Sequence, residues 1–404
     1  MTIWQSRNIP RSNRRSGGRE ARRSVRSAPL AEELRPVRAG MTGGTFRPLD
    51  AAAVDAIEDA VYQILEEIGL SKAPESGVAY LTNVGAITGD DGRTRFPRPV
   101  VSKMLAQAAR NITLHAQNPK HDLLLSGSRV HFGTAGAAVH VVDVQNNAYR
   151  ESHLADIYDA ARIVENMDNI HFFQRPMVAR DIEDPAALDL NTLYAALKGT
   201  TKHVGVSFTE APFMTPCISM LHDIAGDEDK WRERPFVSNS NCFVVPPLRF
   251  ATESCLVMEE AVKAGMPVLL LSAGQAGATA PASIAGAVAQ ALSEVVAGLI
   301  YVNEWCRDTR ALLAPGHLYP ICERVPCPVV RVSRDCSPLP VLRCCVISIY
   351  RAARPREWPT QRCQMPSQVM RREARLFWPD WPASTWFMRL LACMLRFLVS
   401  VWKA

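Results

Sequence analysis

The polar side chains that could bind a ligand lie at the ends of several short apolar runs. Gln174 and Arg175 follow one such run, and His203 begins another. Amide, guanidinium and imidazole groups form hydrogen bonds, so together they could orient a small polar molecule. For each residue alone, a cap, turn or buried structural role is the alternative. The full candidate set includes two aromatic residues: Gln174, Arg175, His203, Phe208, Asn239, Asn241, Phe243 and Gln275.

Motifs with a defined chemistry are missing from the sequence. The segments GTAGAA and GQAGAT lack the third glycine and the later acidic residue of a dinucleotide-binding fingerprint. There is no P-loop, no G-x-S-x-G sequence and no histidine and cysteine with persuasive catalytic spacing. Cys322 with Cys327, and Cys344 with Cys345, match no zinc pattern. The residues alone therefore assign no catalytic group and no metal site.

The elements that must position the candidates are predicted by alternating apolar runs and helical stretches. HVGVSF precedes APFMTPCISMLHDIAG, and PVLLLSAG precedes PASIAGAVAQALSEVVAGLIYVN. This alternation predicts βαβ units with a parallel sheet, of which about five are visible. A spread of polar residues over several strand ends favours a TIM (β/α)8 barrel, which would need three more units. A doubly wound sheet, as in a binding protein, is the less favoured architecture.

Two amphipathic helices precede these units. Residues 49–69 place apolar side chains every three or four positions, with Asp50 as the expected N-cap and Gly69 at the end. A second helix is expected at about Pro99–Ala109, after the turn-rich GDDGR segment. We therefore expect residues 41–129 to form an N-terminal helical cap and residues 130–303 to form a partial barrel.

Charge divides the chain into three parts. Residues 1–40 contain ten Arg and three Glu, and their few large apolar residues predict a disordered tail; a transit peptide or an RNA-binding arm is the alternative. Residues 41–305 hold 20 basic and 31 acidic side chains, which gives no sign of a nucleic-acid-binding domain. No apolar signal segment leads the chain, so we expect a cytoplasmic protein with no membrane partner.

The last hundred residues differ in composition from the rest. Eight of the 11 Cys and five of the eight Trp follow Trp305, but only one of the 22 Gly does. The segment STWFMRLLACMLRFLVSVW imitates a membrane anchor. However, Arg389 and Arg396 would each cost about 2.5–3.5 kcal/mol at a helix centre, so no anchor is expected.

Several segments are similar to those of one enzyme family. FRPLDAAAVDAIEDAVYQILEEIGL, HFGTAGAAVHVVD, NIHFFQRPMVARD, TKHVGVSF, VPPLRFATE and PVLLLSAGQAGATAPASIAG resemble the trimethylamine methyltransferase family over about residues 35–303. The family includes corrinoid-dependent trimethylamine enzymes and the glycine betaine type. The resemblance implies a TIM barrel that moves a methyl group from a tertiary or quaternary amine to the cobalt of a corrinoid (cobalamin) carried by a separate protein.

The resemblance also suggests roles for the candidates. Phe208 and Phe243 would hold an alkylammonium group, since aromatic faces attract such cations. Arg175 would suit a betaine carboxylate, which a guanidinium binds through two hydrogen bonds. Relatives that act on trimethylamine carry pyrrolysine, and no residue before Glu304 matches that position, which argues against trimethylamine itself; the substrate is expected to be glycine betaine-like or trimethylamine-like.

The unusual tail has an explanation in the gene. Family members continue with a segment similar to S-D-L-R-x-G-A-M-S-G-G-S-G-E-Q, which this sequence lacks. A shifted reading frame joins the third base of each codon to the first two bases of the next codon. In this frame, synonymous codons for Tyr319–Val330 can encode S-D-L-R-A-G-A-M-S-G-G. The same offset applied to Arg354–Arg372 allows A-A-G-M-A-D-A-K-M-P-D, then two less determined positions, then G-Y-E-K. We infer a frameshift between Asn303 and Tyr319, which predicts a poorly folded tail over residues 304–404 and an impaired enzyme, or a non-catalytic gene product.

Overall fold

The computed structural model describes residues 35–43, 49–136, 138–143 and 145–305, with the backbone of two short strands beyond them. The chain divides into two compact units, residues 1–38 and residues 39–404. Every element below lies in the second unit. The predictions for residues 1–34 and, apart from those two strands, for the tail after Trp305 lie outside the described residues.

The first helix forms where the spacing of apolar residues predicts it. Helix α1 (Ala51–Gln63) begins after Asp50, whose carboxylate accepts a hydrogen bond from the Ala53 N–H at 2.8 Å. A π-helical turn continues the helix to Ile68, and Gly69 ends it in the left-handed region with φ of 63°. Both predicted ends are confirmed.

The rest of the N-terminal part contains strands as well as helices. Strand β1 (Met41–Thr42) pairs with β7 (Arg129–Val130). Between them lie a three-stranded antiparallel sheet, two helices and a hairpin: β2 (Leu70–Ser71), α2 (Glu75–Asn83), β3 (Ile87–Thr88), β4 (Arg93–Arg95), α3 (Arg98–Gln107), β5 (Asn111–Leu114) and β6 (Leu123–Ser126). The helices expected for residues 41–129 are thus accompanied by short strands, and the turn-rich GDDGR segment joins β3 to β4.

The β5–β6 hairpin packs against the amino ends of the central strands. Its buried residues Ile112, Leu114 and Leu123 form a small apolar cluster with Phe172, which lies just before the first of those strands. A second hairpin, β8 (His140–Val142) with β9 (Tyr149–Glu151), follows β7 in the chain. The first hairpin thus closes one end of the central sheet.

The central sheet is parallel, and its strands lie side by side in chain order. Phe173 pairs with Val204, Val204 with Val237, and Val268 with Ala311. Isolated bridges add Gly133 beside Phe172 at the first edge. The strands are β10 (Phe173–Gln174), β11 (Val204–Val206), β12 (Val237–Asn241), β13 (Val268–Leu270) and β15 (Ala311–Leu313). Outside this sheet, β14 (Gln275–Ala276) pairs with β16 (Tyr319–Pro320).

Helices connect these strands, as the alternating pattern predicts. They are α4 (Leu154–Glu165), α5 (Pro185–Gly199), α6 (Met214–Ala225), α7 (Glu228–Glu233), α8 (Thr252–Lys263) and α9 (Ile284–Trp305). A doubly wound sheet reverses its strand order at a switch point, whereas the strands described here run in consecutive order, as in a barrel wall. The fold class is therefore α/β, with parallel strands that lie side by side in chain order.

Helix α9 is the longest and most apolar helix. Its segment Ile284–Asn303 has a mean hydropathy of 1.6 and would be long enough to cross a membrane, but 83% of the segment is buried in the protein. It packs against the N-terminal helices α1, α2 and α3 as well as α8. Because α9 is buried on all these sides, its apolar composition is that of a core helix.

Candidate functional site

The strands of the central sheet have two chemically different faces. Side chains alternate along a strand, and paired residues of parallel strands point the same way. The Asn241 side-chain amide donates to Ser254 O of α8 at 2.6 Å, so Val237, Asn239 and Asn241 face the helices. Ser238, Ser240 and Cys242 then lie on the opposite face, which we call the interior face; with them lie Gln174, Gly205 and Ser207.

The interior face carries small and neutral side chains. Gln174 lies across Gly205, where its amide fills the space that a Cβ atom would need. The Ser207 hydroxyl donates to Ser240 O at 2.6 Å. Cys242 is exposed at the carboxyl end of β12. On β10 to β12 these side chains are small or neutral, whereas Leu269 of β13, which pairs with Ser240, adds a branched apolar group to the same face.

Thr134 fixes the position of Gln174 at the edge of the sheet. Its hydroxyl accepts the Gln174 N–H at 2.9 Å and donates to Gln174 O at 2.5 Å. The Thr134 hydroxyl thus takes the place of a backbone hydrogen-bond partner, because the chain beside β10 departs from regular strand pairing there. Gln174 is therefore the candidate that the structure places most directly on the interior face.

Arg175 lies at the carboxyl end of β10, close to Asp189 of α5. Its backbone N–H donates to Gly205 O at 2.9 Å, but its partly buried guanidinium makes no hydrogen bond or ion pair with another described residue. Asp189 accepts hydrogen bonds from Thr209 N at 2.7 Å and from the Thr209 hydroxyl at 3.0 Å. Burial lowers the pKa of Arg175 and raises that of Asp189. The guanidinium keeps its charge and retains free donors, which a carboxylate could fill.

His203 lies at the other end of its strand, before β11 begins. It is fully buried, and its ring bonds to His115 O at 2.6 Å and to the Ser238 hydroxyl at 2.9 Å. A carbonyl oxygen only accepts, so Nδ1 carries the proton and Nε2 accepts from Ser238. Burial lowers the pKa of His203 to about 4. The structure therefore places a neutral, fully bonded histidine here and does not bring it to the carboxyl ends of the strands.

The residues before His203 hold α4 in place. The Lys202 ammonium is buried and donates to the carbonyl oxygens of Val164, Met167 and Ile170 at 2.6 to 2.7 Å. These carbonyl groups lie at and beyond the carboxyl end of α4, where a cation is favoured. The TKH segment therefore has a structural role in the described part of the chain.

Four other candidates lie away from the interior face. Asn239 and Asn241 face the helices, and the Asn239 amide is fully buried with no partner among the described residues. Phe208 lies in the apolar core. Phe243 is fully buried, and its ring packs against Gly298 of α9 and lies 6.3 Å from the ring of Phe250.

Gln275 is an exposed residue in the loop after β13. Its backbone carbonyl accepts hydrogen bonds from Ala278, Thr279 and Ala280, and its own N–H donates to the Thr279 hydroxyl at 2.8 Å. The turn is therefore held by the backbone of Gln275, and its side chain stays open to solvent. Gln174, Arg175 and Gln275, like Asn241, lie at or beyond the carboxyl ends of strands.

Sequence reasoning missed Glu294, which lies within α9. Its side chain is fully buried and bonds to the loops that follow β12 and β13. Burial raises the pKa of this carboxyl group. A lone Glu among apolar residues, in ALSEVVAGLI, was the available signal. Within the described ranges, no group of three or more His, Cys, Asp or Glu residues could hold a metal ion.

Comparison with known proteins gives a consistent result. A family profile described as trimethylamine methyltransferase matches residues 15–316. The trimethylamine methyltransferase of Desulfitobacterium hafniense is 29% identical over 248 residues, covering 61% of this chain and 49% of that protein. A trimethylamine methyltransferase of Methanosarcina mazei is 27% identical over 253 residues, covering 60% and 50%.

Another relative has a different substrate in its name. The glycine betaine methyltransferase of Desulfitobacterium hafniense is 26% identical over 248 residues, covering 61% of this chain and 51% of that protein. The monomethylamine methyltransferase of Methanosarcina barkeri has a solved structure that matches with a TM-score of 0.44 and 10% identity, covering 70% of this chain and 56% of that one. The chain spans about half the length of the curated relatives it matches.

Proposed function

Because this chain belongs to the trimethylamine methyltransferase family, we propose that it derives from an enzyme that moves a methyl group from a tertiary or quaternary amine to a corrinoid protein. The substrate would be glycine betaine-like or trimethylamine-like. Residues 130–303 would supply the first units of a TIM barrel, and the consecutive parallel strands support this architecture.

The observation that carries the proposal is the small, neutral interior face of β10 to β12. A methyl group that leaves a quaternary nitrogen leaves a neutral tertiary amine, so no proton has to move. The corrinoid supplies a cobalt nucleophile when its carrier protein is bound. The chain itself has to bind the cation, align one methyl group and exclude water. Gln174, Ser207 and Ser240 can do this without a charged base on the described strands of that face.

Charge favours a substrate that carries both a cation and a carboxylate. Residues 41–305 are acidic overall and would attract a cation weakly, in a manner that salt screens. The free donors of Arg175 would bind a betaine carboxylate at the carboxyl end of β10. Phe208 and Phe243 are packed in the core, so we no longer propose them as the aromatic contacts of the substrate.

A substrate panel tests this proposal. The gene is corrected by one base so that the reading frame after Asn303 matches the family, and the protein is mixed with a corrinoid carrier protein. Glycine betaine, trimethylamine and choline are supplied separately, and mass spectrometry measures the demethylated product. We expect a product from at least one of these amines; a protein that binds the carrier and demethylates none of them would refute the proposal.

The second candidate is that the chain as translated is a non-catalytic product of a frameshifted gene. The abrupt change in composition after Trp305 favours it, since Gly and Ala codons of a GC-rich gene read out of phase give Arg, Pro, Cys and Trp. Sequencing the locus distinguishes the two candidates. A continuous family frame in the genome would make the tail a sequence error, whereas a confirmed inserted or deleted base would establish the non-catalytic product.

A further inference from the structure

Two loops at the carboxyl ends of β12 and β13 meet a single buried side chain. The first loop, residues 243–250, follows β12, and the second, residues 271–280, follows β13. Both begin at the carboxyl edge of the central sheet. Glu294 lies behind them in α9 and is completely buried.

Glu294 forms hydrogen bonds with both loops. Its Oε1 atom accepts the Leu248 N–H of the first loop at 2.8 Å. Its Oε2 atom shares a short hydrogen bond with the Ser272 hydroxyl of the second loop. Leu248 has φ of 52°, a left-handed conformation that leucine rarely adopts, so its backbone depends on what holds it. The Leu248 N–H has no other described partner, so Glu294 holds this side of the turn, while the Leu248 carbonyl accepts from Ser71 N at 3.1 Å.

Gln290 extends the same connection by one helical turn. Its side-chain amide donates to Glu294 Oε1 at 3.1 Å and to Thr279 O at 2.9 Å. The far end of the second loop is thus tied to α9 as well. Ser293, which lies next to Glu294 in the helix, donates only to Ala289 O of the same helix at 2.8 Å. Ser293 therefore offers a matched buried polar residue with no bond to either loop.

We propose that Glu294 is a positioning residue that holds the loops after β12 and β13 together and so sets the shape of the site wall. That these loops line a substrate site rests on the proposed function; that Glu294 holds them does not. The groups bonded to Glu294 are the Leu248 N–H, the Ser272 hydroxyl and the Gln290 amide.

The substitution Glu294→Gln separates positioning from charge. A glutamine carbonyl can accept from Leu248 and Gln290, and its NH₂ group can donate to the Ser272 oxygen. All three connections then survive without a titratable group. Glu294→Ala removes all three, while Gln290→Ala releases only the far end of the second loop at Thr279 and leaves the Leu248 and Ser272 bonds to Glu294 in place.

Hydrogen exchange of the full 404-residue chain tests the proposal. The Leu248 amide should exchange at least about tenfold faster in Glu294→Ala than in the unsubstituted chain. It should stay protected in Glu294→Gln and in the Ser293→Ala control. The Val204 and Asn239 amides of the central sheet, which bond to Phe236 O and Pro267 O, serve as internal references for global unfolding.

Each outcome decides the matter. Selective loss at Leu248 in Glu294→Ala, with rescue by Glu294→Gln, supports the proposal. An unprotected Leu248 amide in the unsubstituted chain, equal protection in Glu294→Ala, or equal loss at all three amides in Glu294→Gln overturns it. Binding of glycine betaine, measured separately by calorimetry on the frame-corrected protein, reports on the proposed function, so the two can fail independently.

Discussion

Arg175 is the residue whose charge can select between substrates. Replacing Arg175 with alanine removes charged hydrogen bonds worth about 1.5–3 kcal/mol to a carboxylate. We therefore expect KM for glycine betaine to rise roughly 10- to 100-fold in the frame-corrected protein. KM for choline, which has no carboxylate, should change little. Steady-state kinetics with both amines measures this difference.

The matched control is Arg180→Ala, five residues further along the chain. Arg180 is exposed and pairs with Glu151 at 3.0 Å, and exposed pairs contribute little to stability. Betaine demethylation with unchanged KM in Arg175→Ala would remove Arg175 from the site. Equal effects of both substitutions would indicate a general charge effect instead.

Two buried histidines predict how stability depends on pH. Burial lowers the pKa of His203 and of His171 to about 4 each, well below the usual 6.5. As pH falls below 6.5 the unfolded chain takes up protons that the folded chain does not. Folding stability should therefore fall between pH 6.5 and 4, by up to about 1.4 kcal/mol per pH unit for each histidine.

Urea unfolding at several pH values measures this slope. His203→Gln should remove about half of the contribution of the two histidines. The comparison concerns the slope, so a lower stability of His203→Gln at every pH does not affect it. An unchanged slope in His203→Gln would show that the buried ring is not neutral.

At the scale of single residues, the sequence predicted where polar residues end the strands. It did not predict which face of the sheet their side chains take. In VSNSNCF both alternating sets contain small or polar residues, so the pattern does not reveal which set faces the helices. The register with Val206 and Val268, two buried neighbours, places Asn239 on the helix side. Glu294 was missed because its partners are a backbone N–H and a serine far away in the chain.

Helix α9 shows how an element is shaped by what packs against it. Gly298 lies under the ring of Phe243, and a Cβ atom there would overlap with the ring. Alanine forms helices better than glycine by about 1 kcal/mol. Overpacking typically costs about 1–3 kcal/mol, so we expect Gly298→Ala to reduce the free energy of unfolding overall.

Gly286→Ala in the first turn of the same helix is the control. A Cβ atom there meets mainly the Ser283 hydroxyl and the Pro281 ring at the exposed start of the helix, and the hydroxyl can rotate away. Denaturant unfolding of both variants should show Gly298→Ala less stable than Gly286→Ala. A Gly298→Ala protein as stable as the control would mean that the Phe243 ring can move.

Helices with a strong apolar periodicity could be predicted from the sequence. The short strands, and the order in which they pair, could not be fully derived from it. Asp50 and Gly69 marked the ends of α1 because a cap and a left-handed turn have distinct sequence signals. The strands β2, β3 and β4 have two or three residues each, too few for an alternating pattern. Pairing with distant residues, such as Ser71 with Arg249, stabilises them.

At the scale of the whole molecule, family similarity and composition change at nearly the same place. The family profile ends at residue 316, and the out-of-phase family segment begins at Tyr319. A barrel closes only when its first and last strands pair, and an open sheet leaves edges and interior surface exposed. We therefore propose that the 404-residue chain lacks the strands that would complete the site.

The most direct test is methyl transfer from glycine betaine to a corrinoid protein, measured side by side for the 404-residue chain and the frame-corrected protein at equal concentration. We predict turnover by the frame-corrected protein and none above background by the 404-residue chain. The frame-corrected protein should also unfold at a higher temperature, because more apolar surface is buried. Equal turnover by both proteins, with a sharp thermal transition for the 404-residue chain, would contradict the frameshift and the incomplete barrel together.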